Sequence, residues 1–317
     1  MKHTIAIIGA GLSGLLAART LATRGARVVV LEKSRGVGGR MATKRVGDAV
    51  FDHGAQFFTA RNDVFAAEVR RWEVAGLAQL WPDSEHRWTG RPTMTAISKH
   101  LASGLTIQRE HKVTAARRHE CGCWELDIEN HGMLRAERLI LTSPVPQSLA
   151  LLDAGGVVLP EPAGAVLRSI TYHPCLALLV VLDGPSDLPT EGVAAKVGPL
   201  RWAADGTKKG ISSQVPAAVT LHASADFSAE HYGRPEAEVT ALLLAAARPW
   251  LGKSGVVSTT LHRWKFSEPR SEFGADCLWI PDLTLGFAGD AFGSARVEGA
   301  ALSGLAIGEA VAKHLTP

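Results

Sequence analysis

The chain opens on apolar stretches that have no polar face, separated by glycine-rich polar breaks. Ile5-Ala6-Ile7-Ile8 has the continuous apolar character of a strand buried on both sides and predicts a strand over 3–8. A helix-forming run predicts a helix over 14–24, and Val28-Val29-Val30-Leu31 a second buried strand over 27–31. A basic glycine loop (34–47) and a short strand near 49–52 follow. Val64, Phe65, Val69 and Trp72 recur at helical spacing and predict a helix over about 63–76. A further helix is expected over about 93–102 and strands over 105–118 and 123–129. Arg138 to Thr142 reads as a buried strand, with Pro144 and Pro146 punctuating its end.

From about residue 160 the pattern changes. A helix (161–169), an apolar strand (175–182), a strand (217–223), a helix (235–250) and a strand (256–266) lead to a buried strand at 283–288 and a helix at 296–314. No repeat or low-complexity tract interrupts this. The glycine-marked strand ends lie near both ends of the chain. This predicts one domain assembled from 1–62, 92–150 and 270–317, with 63–91 and 151–269 forming an inserted substrate domain.

Four glycine-marked segments carry the candidate chemistry. In Gly9-Ala10-Gly11-Leu12-Ser13-Gly14, directly after the first strand, Gly9 allows a tight turn. Gly11 lets the backbone approach a pyrophosphate, and Gly14 lets the helix pack close to the strand. The helix N-terminus then offers N–H groups to phosphate, and Glu32, closing the second strand, would accept from ribose hydroxyls and repel a 2′-phosphate. In Gly36-Val37-Gly38-Gly39-Arg40 the glycines permit close approach and Arg40 can contact phosphate oxygens. Asp52-His53-Gly54-Ala55-Gln56 adds another approach loop, with an amide able to donate and accept. Near the C-terminus, Gly289-Asp290 ends a strand, where Asp290 could bind sugar or ribityl hydroxyls. The N–H groups of Val297 to Ala300 open a helix able to stabilise negative charge.

Composition narrows the rest. The chain has 317 residues, 46% hydrophobic and 21% charged, with a net charge of +3, which describes an ordinary globular protein. Its densest basic stretch, Arg35 to Arg45, overlaps the second glycine cluster, so bound phosphate is favoured over nucleic acid. The four cysteines, Cys121, Cys123, Cys175 and Cys277, follow no zinc spacing and are too few for a secreted framework; they read as reduced, buried thiols. The histidines form no HxxxH or HxH pair, so no metal is expected. Lys2-His3 and the apolar stretch to Ala18 could imitate a secretory leader, but the glycine spacing favours the dinucleotide turn. No other apolar run approaches the ~20 residues of a membrane span, and a cytoplasmic address is expected.

Together these motifs resemble the FAD-dependent amine oxidase superfamily, and most closely its bacterial renalase-like branch. The resemblance also rests on Lys33-Ser34-Arg35-Gly36 leading into Gly38-Gly39-Arg40-Met41, on Gly54-Ala55-Gln56-Phe57-Phe58-Thr59-Ala60-Arg61, and on Arg87-Trp88. Pro199-Leu200 with Trp202, Leu221-His222-Ala223, His262-Arg263-Trp264 and Arg296-Val297-Glu298-Gly299-Ala300 extend it along nearly the whole chain. It implies an α/β fold: a Rossmann-like FAD-binding domain of the flavin amine oxidase and p-hydroxybenzoate hydroxylase type, with an inserted substrate domain of mixed β-sheet plus helices. It places the ADP half of FAD at Gly9, Gly11, Leu12, Ser13, Gly14 and Glu32, with Val113 also at the cofactor. Lys33, Arg35, Gly38, Gly39, Arg40 and Met41 lie towards the pyrophosphate. Gly54, Ala55, Gln56, Phe57, Gly289, Asp290, Arg296, Val297, Glu298 and Ala300 lie towards the ribityl chain and flavin. General amine oxidases usually carry Arg where Ser34 stands, so one contact is rearranged, through Lys33 or Arg35. No cysteine is placed for a thioether, so the FAD is expected to be non-covalent.

The renalase-like branch implies oxidation of isomeric dihydro forms of NAD(P)H by hydride transfer to flavin N5, with dioxygen as acceptor, giving NAD(P)+ and hydrogen peroxide. Rearomatisation drives that step, so no general base is required; the protein supplies placement. Gln56, His262 and Trp264 are the candidate catalytic residues. His262, Trp264 and Phe266 share one face of their strand, which is either a substrate wall or a core stripe. Trp202 and His222 carry the same two readings, and Trp88 reads as a packing ring. The alternatives are a flavin amine oxidase, a non-catalytic flavin-bound redox sensor and a lipid desaturase. The amine oxidase would need an aromatic cage in a chain with only two tyrosines.

Overall fold

Apolar runs without a polar face require cover on both sides, and the structure supplies it. The computed structural model describes residues 4–195 and 198–315; Lys2 and His3 lie outside them. Six strands pair in the order Leu278–Ile280, Leu285–Phe287, Arg138–Leu141, Thr4–Ile8, Arg27–Glu32 and Thr106–Arg109. Four of the pairings are parallel, and Leu278–Ile280 closes one edge antiparallel. Ile5, Ile7, Val30 and Ile140 pack under the helices Leu12–Thr23 and Val297–Ala312. Ala6, Val29, Leu31 and Leu139 meet Trp124, Leu126 and Leu149 on the other side. Those residues come from a three-stranded antiparallel sheet, Val113–Arg118, Trp124–Ile128 and Gly132–Ala136, and from the helix Val145–Ala154.

The first and last helices touch through glycine. A methyl on Gly304 would stand 2.3 Å from the Ser13 carbonyl oxygen, and one on Gly308 2.7 Å from the Thr20 Cβ. Spaced i, i+4, the two glycines lie on one helix face, and that face seats the last helix against the glycine-turn helix.

A second, five-stranded sheet runs Val193–Ala194, Leu200–Asp205, Ala217–Ala223, Tyr172–Leu182, Val256–Pro269, with every pairing antiparallel. Mixed pairing is found in the six-stranded sheet instead. The back of the five-stranded sheet is covered by the helix Glu236–Leu251, whose Val239, Leu243 and Ala247 meet Leu176, Leu178 and Val180. Its front packs Leu179, Val181 and Ala218 against Ala49 and Phe51. Those two belong to the hairpin Thr43–Val46/Ala49–Asp52, which follows the second glycine cluster. The hairpin therefore joins the two sheets.

Several local expectations are revised. The strand expected over 105–118 divides into Thr106–Arg109 and Val113–Arg118, which belong to different sheets. The break falls at Glu110, whose φ of 60° an extended strand cannot hold. Pro146 does not end an element; it sits in the first turn of Val145–Ala154, where its missing N–H costs nothing. Strands Gly132–Ala136 and Leu200–Asp205 were not foreseen, and the strand expected at 283–288 is Leu285–Phe287 after a 3-10 turn at Pro281–Leu283. Val64 is 57% exposed: in the helix Asp63–Val74 the buried stripe is Phe65, Val69 and Trp72. The cysteines are not four buried thiols. The Cys121 and Cys123 sulfurs are bonded to each other in the turn between Val113–Arg118 and Trp124–Ile128, and Cys121 is exposed. Cys175 and Cys277 are free and half-buried. Among the described residues no helix is long and apolar enough to cross a membrane.

Gly304→Ala is expected to cost about 1–3 kcal/mol, because Ser13 backbone must move to admit the methyl, and this should appear as a lower urea midpoint. In the FAD-free protein Gly11→Ala, whose methyl would meet nothing within 4 Å, should lower the midpoint less, through the weaker helix cap alone.

Candidate active site

The first glycine turn joins the ends of two parallel strands. Gly9 has φ 107°, a conformation that favours glycine, and its N–H donates to the Leu31 carbonyl at 2.9 Å. A Cβ on Gly14 would stand 2.0 Å from the Gly9 carbonyl oxygen, whereas Gly11 opens on empty space. The helix that starts at Leu12 has no side-chain cap and no acid in its first turn. Its leading N–H groups thus retain the positive dipole end that suits an anion. Beside them the Ser13 hydroxyl is buried without a partner. Glu32, also buried, accepts from the Ala10 N–H at 2.9 Å and the Ser34 N–H at 2.8 Å, and its second lone pairs are left for hydroxyl donors. The open face at Gly11, the orphaned Ser13 hydroxyl, the uncapped helix and the acid at the strand end fit the pyrophosphate and ribose of a dinucleotide.

The second cluster is bonded directly onto the first. The Gly38 N–H donates to the Ala10 carbonyl at 2.8 Å, and Gly11 and Gly38 form a parallel bridge. Arg40 then reaches the other two segments. Its carbonyl accepts from the Ala55 N–H at 2.8 Å, and Gly54 lies so close that a Cβ there would be 1.9 Å from the same oxygen. Its guanidinium forks onto Asp290, with Nη2 to Oδ1 at 2.7 Å and Nη1 to Oδ2, and Nη1 also donates to the Ser267 carbonyl at 3.2 Å. Burial works against this charge, but Asp290 outweighs it and holds the guanidinium above its ordinary value. In this structure the side chain of this expected phosphate ligand pairs with Asp290. Asp290, expected to bind hydroxyls, in turn has its carboxylate engaged by Arg40 and by the Tyr172 hydroxyl at 3.5 Å.

Facing this assembly is the front of the five-stranded sheet. Trp202 stands opposite His222, His222 opposite Ala177, and Ala177 opposite His262. His53 fits against them, stacked on Trp264 at 5.1 Å and edge-on to His262 at 4.7 Å. Its carbonyl accepts from Trp264 Nε1 at 3.0 Å and from His222 Nε2 at 3.1 Å. Burial, with His262 adding to it, pushes the His53 imidazole down to about 3; burial takes His222 to about 4 and lowers His262 as well. All three are neutral at pH 7. His53 Nδ1 and Trp202 Nε1 are buried with no partner.

The remaining expected residues are placed as follows. Gln56 is buried; its amide donates back to the Asp52 carbonyl and so closes its own loop. The Phe57 ring packs on Trp81 and Trp202, with Arg87 over it at 4.9 Å. Met41 and Val113 are buried in the cores beneath the site. Gly39 packs with its Cα side towards Gly11. Arg35 is exposed, and Lys33 reaches Gln147 at 3.5 Å. Gly289 donates its N–H to the Ser303 hydroxyl at 2.9 Å. Arg296 caps the last helix without a side-chain bond, and Val297 begins it. The Ala300 N–H is taken by the Arg296 carbonyl at 3.0 Å, so only the N–H groups ahead of it are open. The Glu298 carboxylate accepts from the Arg61 and Asn62 N–H groups, both at 2.7 Å, and anchors that loop.

Three participants were not singled out from the sequence. Lys209 is fully buried against Asp52, Tyr172 sits over Asp290, and His53 lies at the centre of the ring cluster. Away from the site, His119, Cys121 and Cys123 gather within 4.8 Å at their hairpin turn, a grouping hidden by the lack of any standard spacing. Burial raises the Cys175 thiol to about 12 and Cys277 to about 11, which leaves both as inert thiols.

Comparison with known proteins agrees with this geometry. Residues 7–71 match the NAD(P)-binding Rossmann-like domain family. Over 98% of its length the chain is 23% identical to renalase of Mus musculus, covering 99% of that protein. An 87-residue segment, 27% of this chain, is 34% identical to an L-amino acid oxidase of Crotalus durissus cumanensis, but it spans only 17% of that relative's length. Among solved structures, a candidate protoporphyrinogen oxidase from Exiguobacterium sp. 255-15 superposes with a TM-score of 0.79 at 13% identity. It covers 99% of this chain and 100% of its own. That last likeness is one of fold.

Fold and site define a protein built on a Rossmann-like dinucleotide-binding domain, similar along its whole length to mouse renalase and in fold to flavin oxidases. The glycine turn with Ser13 and Glu32 are the residues here that would hold a dinucleotide such as FAD.

Two outcomes follow. Gly11→Ala, which fills the open face, should raise the FAD dissociation constant about tenfold or more, read by flavin fluorescence quenching, without loss of fold. Folding stability should also fall as the medium is acidified. Unfolded imidazoles take up protons below about pH 6.5, whereas folded His222 and His53 resist until about 4 and about 3. Their contribution is therefore complete above pH 6.5 and lost below it, by about 1.4 kcal/mol per pH unit for each histidine. Urea midpoints measured from pH 7.5 to 5 should show this slope, and His222→Gln should flatten it.

Proposed function

We propose that this chain is a cytoplasmic oxidase of dihydronicotinamide dinucleotides carrying hydride at a non-standard ring position, the renalase-like reading. The observation that carries it is the match to mouse renalase along the whole chain, which joins the glycine-marked segments to the ring-lined sheet in one alignment. The chemistry of the sheet face supports it. Bound FAD would accept the hydride at N5 and return two electrons to dioxygen, with a proton from solvent completing hydrogen peroxide. Everything else required of the chain is placement, because rearomatisation releases the nicotinamide without removal of an N–H proton.

The side chains suit that task. His53, His222 and His262 are held neutral by burial, so the face offers hydrogen bonds without a charge that would oppose the developing nicotinamide cation. Trp264, fixed through Nε1 to the His53 carbonyl, supplies a flat ring for a planar substrate, and His262 beside it supplies a polar edge. Gln56 lies in the loop that Arg40 brings alongside Asp290, and its role is to shape the cofactor side of the cavity.

The test is anaerobic stopped-flow absorbance of the yellow protein against ordinary NADH, its 2- and 6-dihydro isomers and a panel of amines. Rapid bleaching by an isomer alone is the expected result. Bleaching by an amine alone would replace this reading with amine oxidation, and bleaching by none would favour a non-catalytic flavoprotein. Trp264→Leu should lower kcat/KM for the isomer about tenfold, the scale of one lost ring contact.

A further inference from the structure

The Asp52–Lys209 ion pair is fully buried on both sides, at 2.6 Å. It links positions 157 residues apart. Lys209 Nζ donates a second bond, 2.7 Å, to the Gln56 carbonyl, and the Trp81 ring lies 4.8 Å from the ammonium. One ammonium thus spans both ends of the loop Asp52–Gln56, which Gln56 Nε2 closes from within by donating to the Asp52 carbonyl. Asp52 is equally committed. Its Oδ1 accepts from the Thr43 hydroxyl at 2.6 Å and the Met94 N–H at 3.2 Å, and its Oδ2 takes Lys209.

The lysine is aimed by a rigid turn. Asp205 accepts from the Thr207 N–H and hydroxyl and from the Ala218 N–H, while the Lys209 N–H returns to the Asp205 carbonyl at 3.0 Å. The same turn docks on the hairpin, where the Val50 N–H donates to the Ser212 hydroxyl at 3.0 Å. Replacing a buried ion pair with apolar groups of similar volume is often neutral or stabilising, so stability alone does not account for this pair. Its geometry does.

We propose that Lys209 is a positioning residue that pre-forms the Asp52–Gln56 loop for the cofactor and carries His53 into register with His222 and Trp264. The His53 carbonyl that those two side chains share lies inside the pinned loop. The lysine therefore sets the cofactor-side loop and the substrate-side rings together, from a turn of the five-stranded sheet. This rests on the reading that the Asp52–Gln56 loop faces FAD. It is independent of which compound is oxidised.

The test has two parts. Lys209→Met leaves the Asp52 carboxylate buried and unpaired and should unfold readily. Lys209→Met combined with Asp52→Asn removes both charges while keeping an acceptor for Thr43 and Met94, and should recover most of the thermal midpoint. In that double variant FAD should still bind, with a dissociation constant about tenfold higher and an altered visible circular dichroism of the bound flavin. A double variant with the parent's FAD affinity and flavin spectrum would overturn the proposal. The second part uses the unmodified protein. Amides of residues 53–56 should be protected from hydrogen exchange both with FAD loaded and with FAD removed. Free exchange there until FAD is added would show that the cofactor, not Lys209, orders the loop. Both readouts are blind to substrate identity, so a failed substrate assignment leaves them intact.

Discussion

Arg40 is the point on which the site depends. Its carbonyl holds Ala55 and crowds Gly54, its guanidinium holds Asp290 across 250 residues of sequence, and one of its N–H groups reaches Ser267 in the five-stranded sheet. A planar fork on a carboxylate fixes both distance and orientation, which a lysine at the same position would not do. Through Arg40 the second glycine cluster, the approach loop, the strand end near the C-terminus and the long strand Val256–Pro269 share one geometry. Gly38, two residues earlier, ties that assembly to the first glycine turn. Beside this assembly, backbone N–H donors and the Ser13 hydroxyl remain open to an anion.

The same constraint explains why the two sheets face each other as they do. The hairpin Thr43–Val46/Ala49–Asp52 begins directly after Arg40 and Met41, so its orientation is set at the glycine cluster. Its apolar Ala49 and Phe51 then cover Leu179, Val181 and Ala218, while its last residue, Asp52, is met by Lys209 from the opposing sheet. Beyond it, His53 enters a ring cluster of neutral side chains. A half-buried polar face of this kind can orient a planar substrate by hydrogen bonds and stacking, and burial holds its histidines neutral at pH 7. Placement, rather than proton abstraction, is the chemistry such a face supports.

What could be read from the chain was local. The first strand, glycine turn, helix and Glu32 fall within about thirty residues, where spacing alone carries the information. The helix stripe Phe65-Val69-Trp72 follows from helical periodicity, and so does the helix expected over 235–250. The partners of charged groups were not legible. Asp52 with Lys209 and Arg40 with Asp290 lie 157 and 250 residues apart, and nothing in the residues around Lys209 distinguishes it from its half-buried neighbour Lys208. Arg40 read as a phosphate ligand because its local context is basic and glycine-rich, and its pairing with Asp290 was not legible because that residue lies at the far end of the chain. The Cys121–Cys123 bond was missed because cysteine count speaks to disulfide frameworks and not to two sulfurs brought together across one glycine in a turn.

The central claim is that these separated segments build a single non-covalent FAD site. The most direct measurement is cofactor release: the purified protein is denatured by heat, and supernatant and pellet are assayed by absorbance and chromatography. The account predicts one equivalent of intact FAD per chain in the supernatant, with none retained by the polypeptide. A chain that carries no flavin and takes up none when FAD is added, or one whose flavin stays with the pellet, would contradict it.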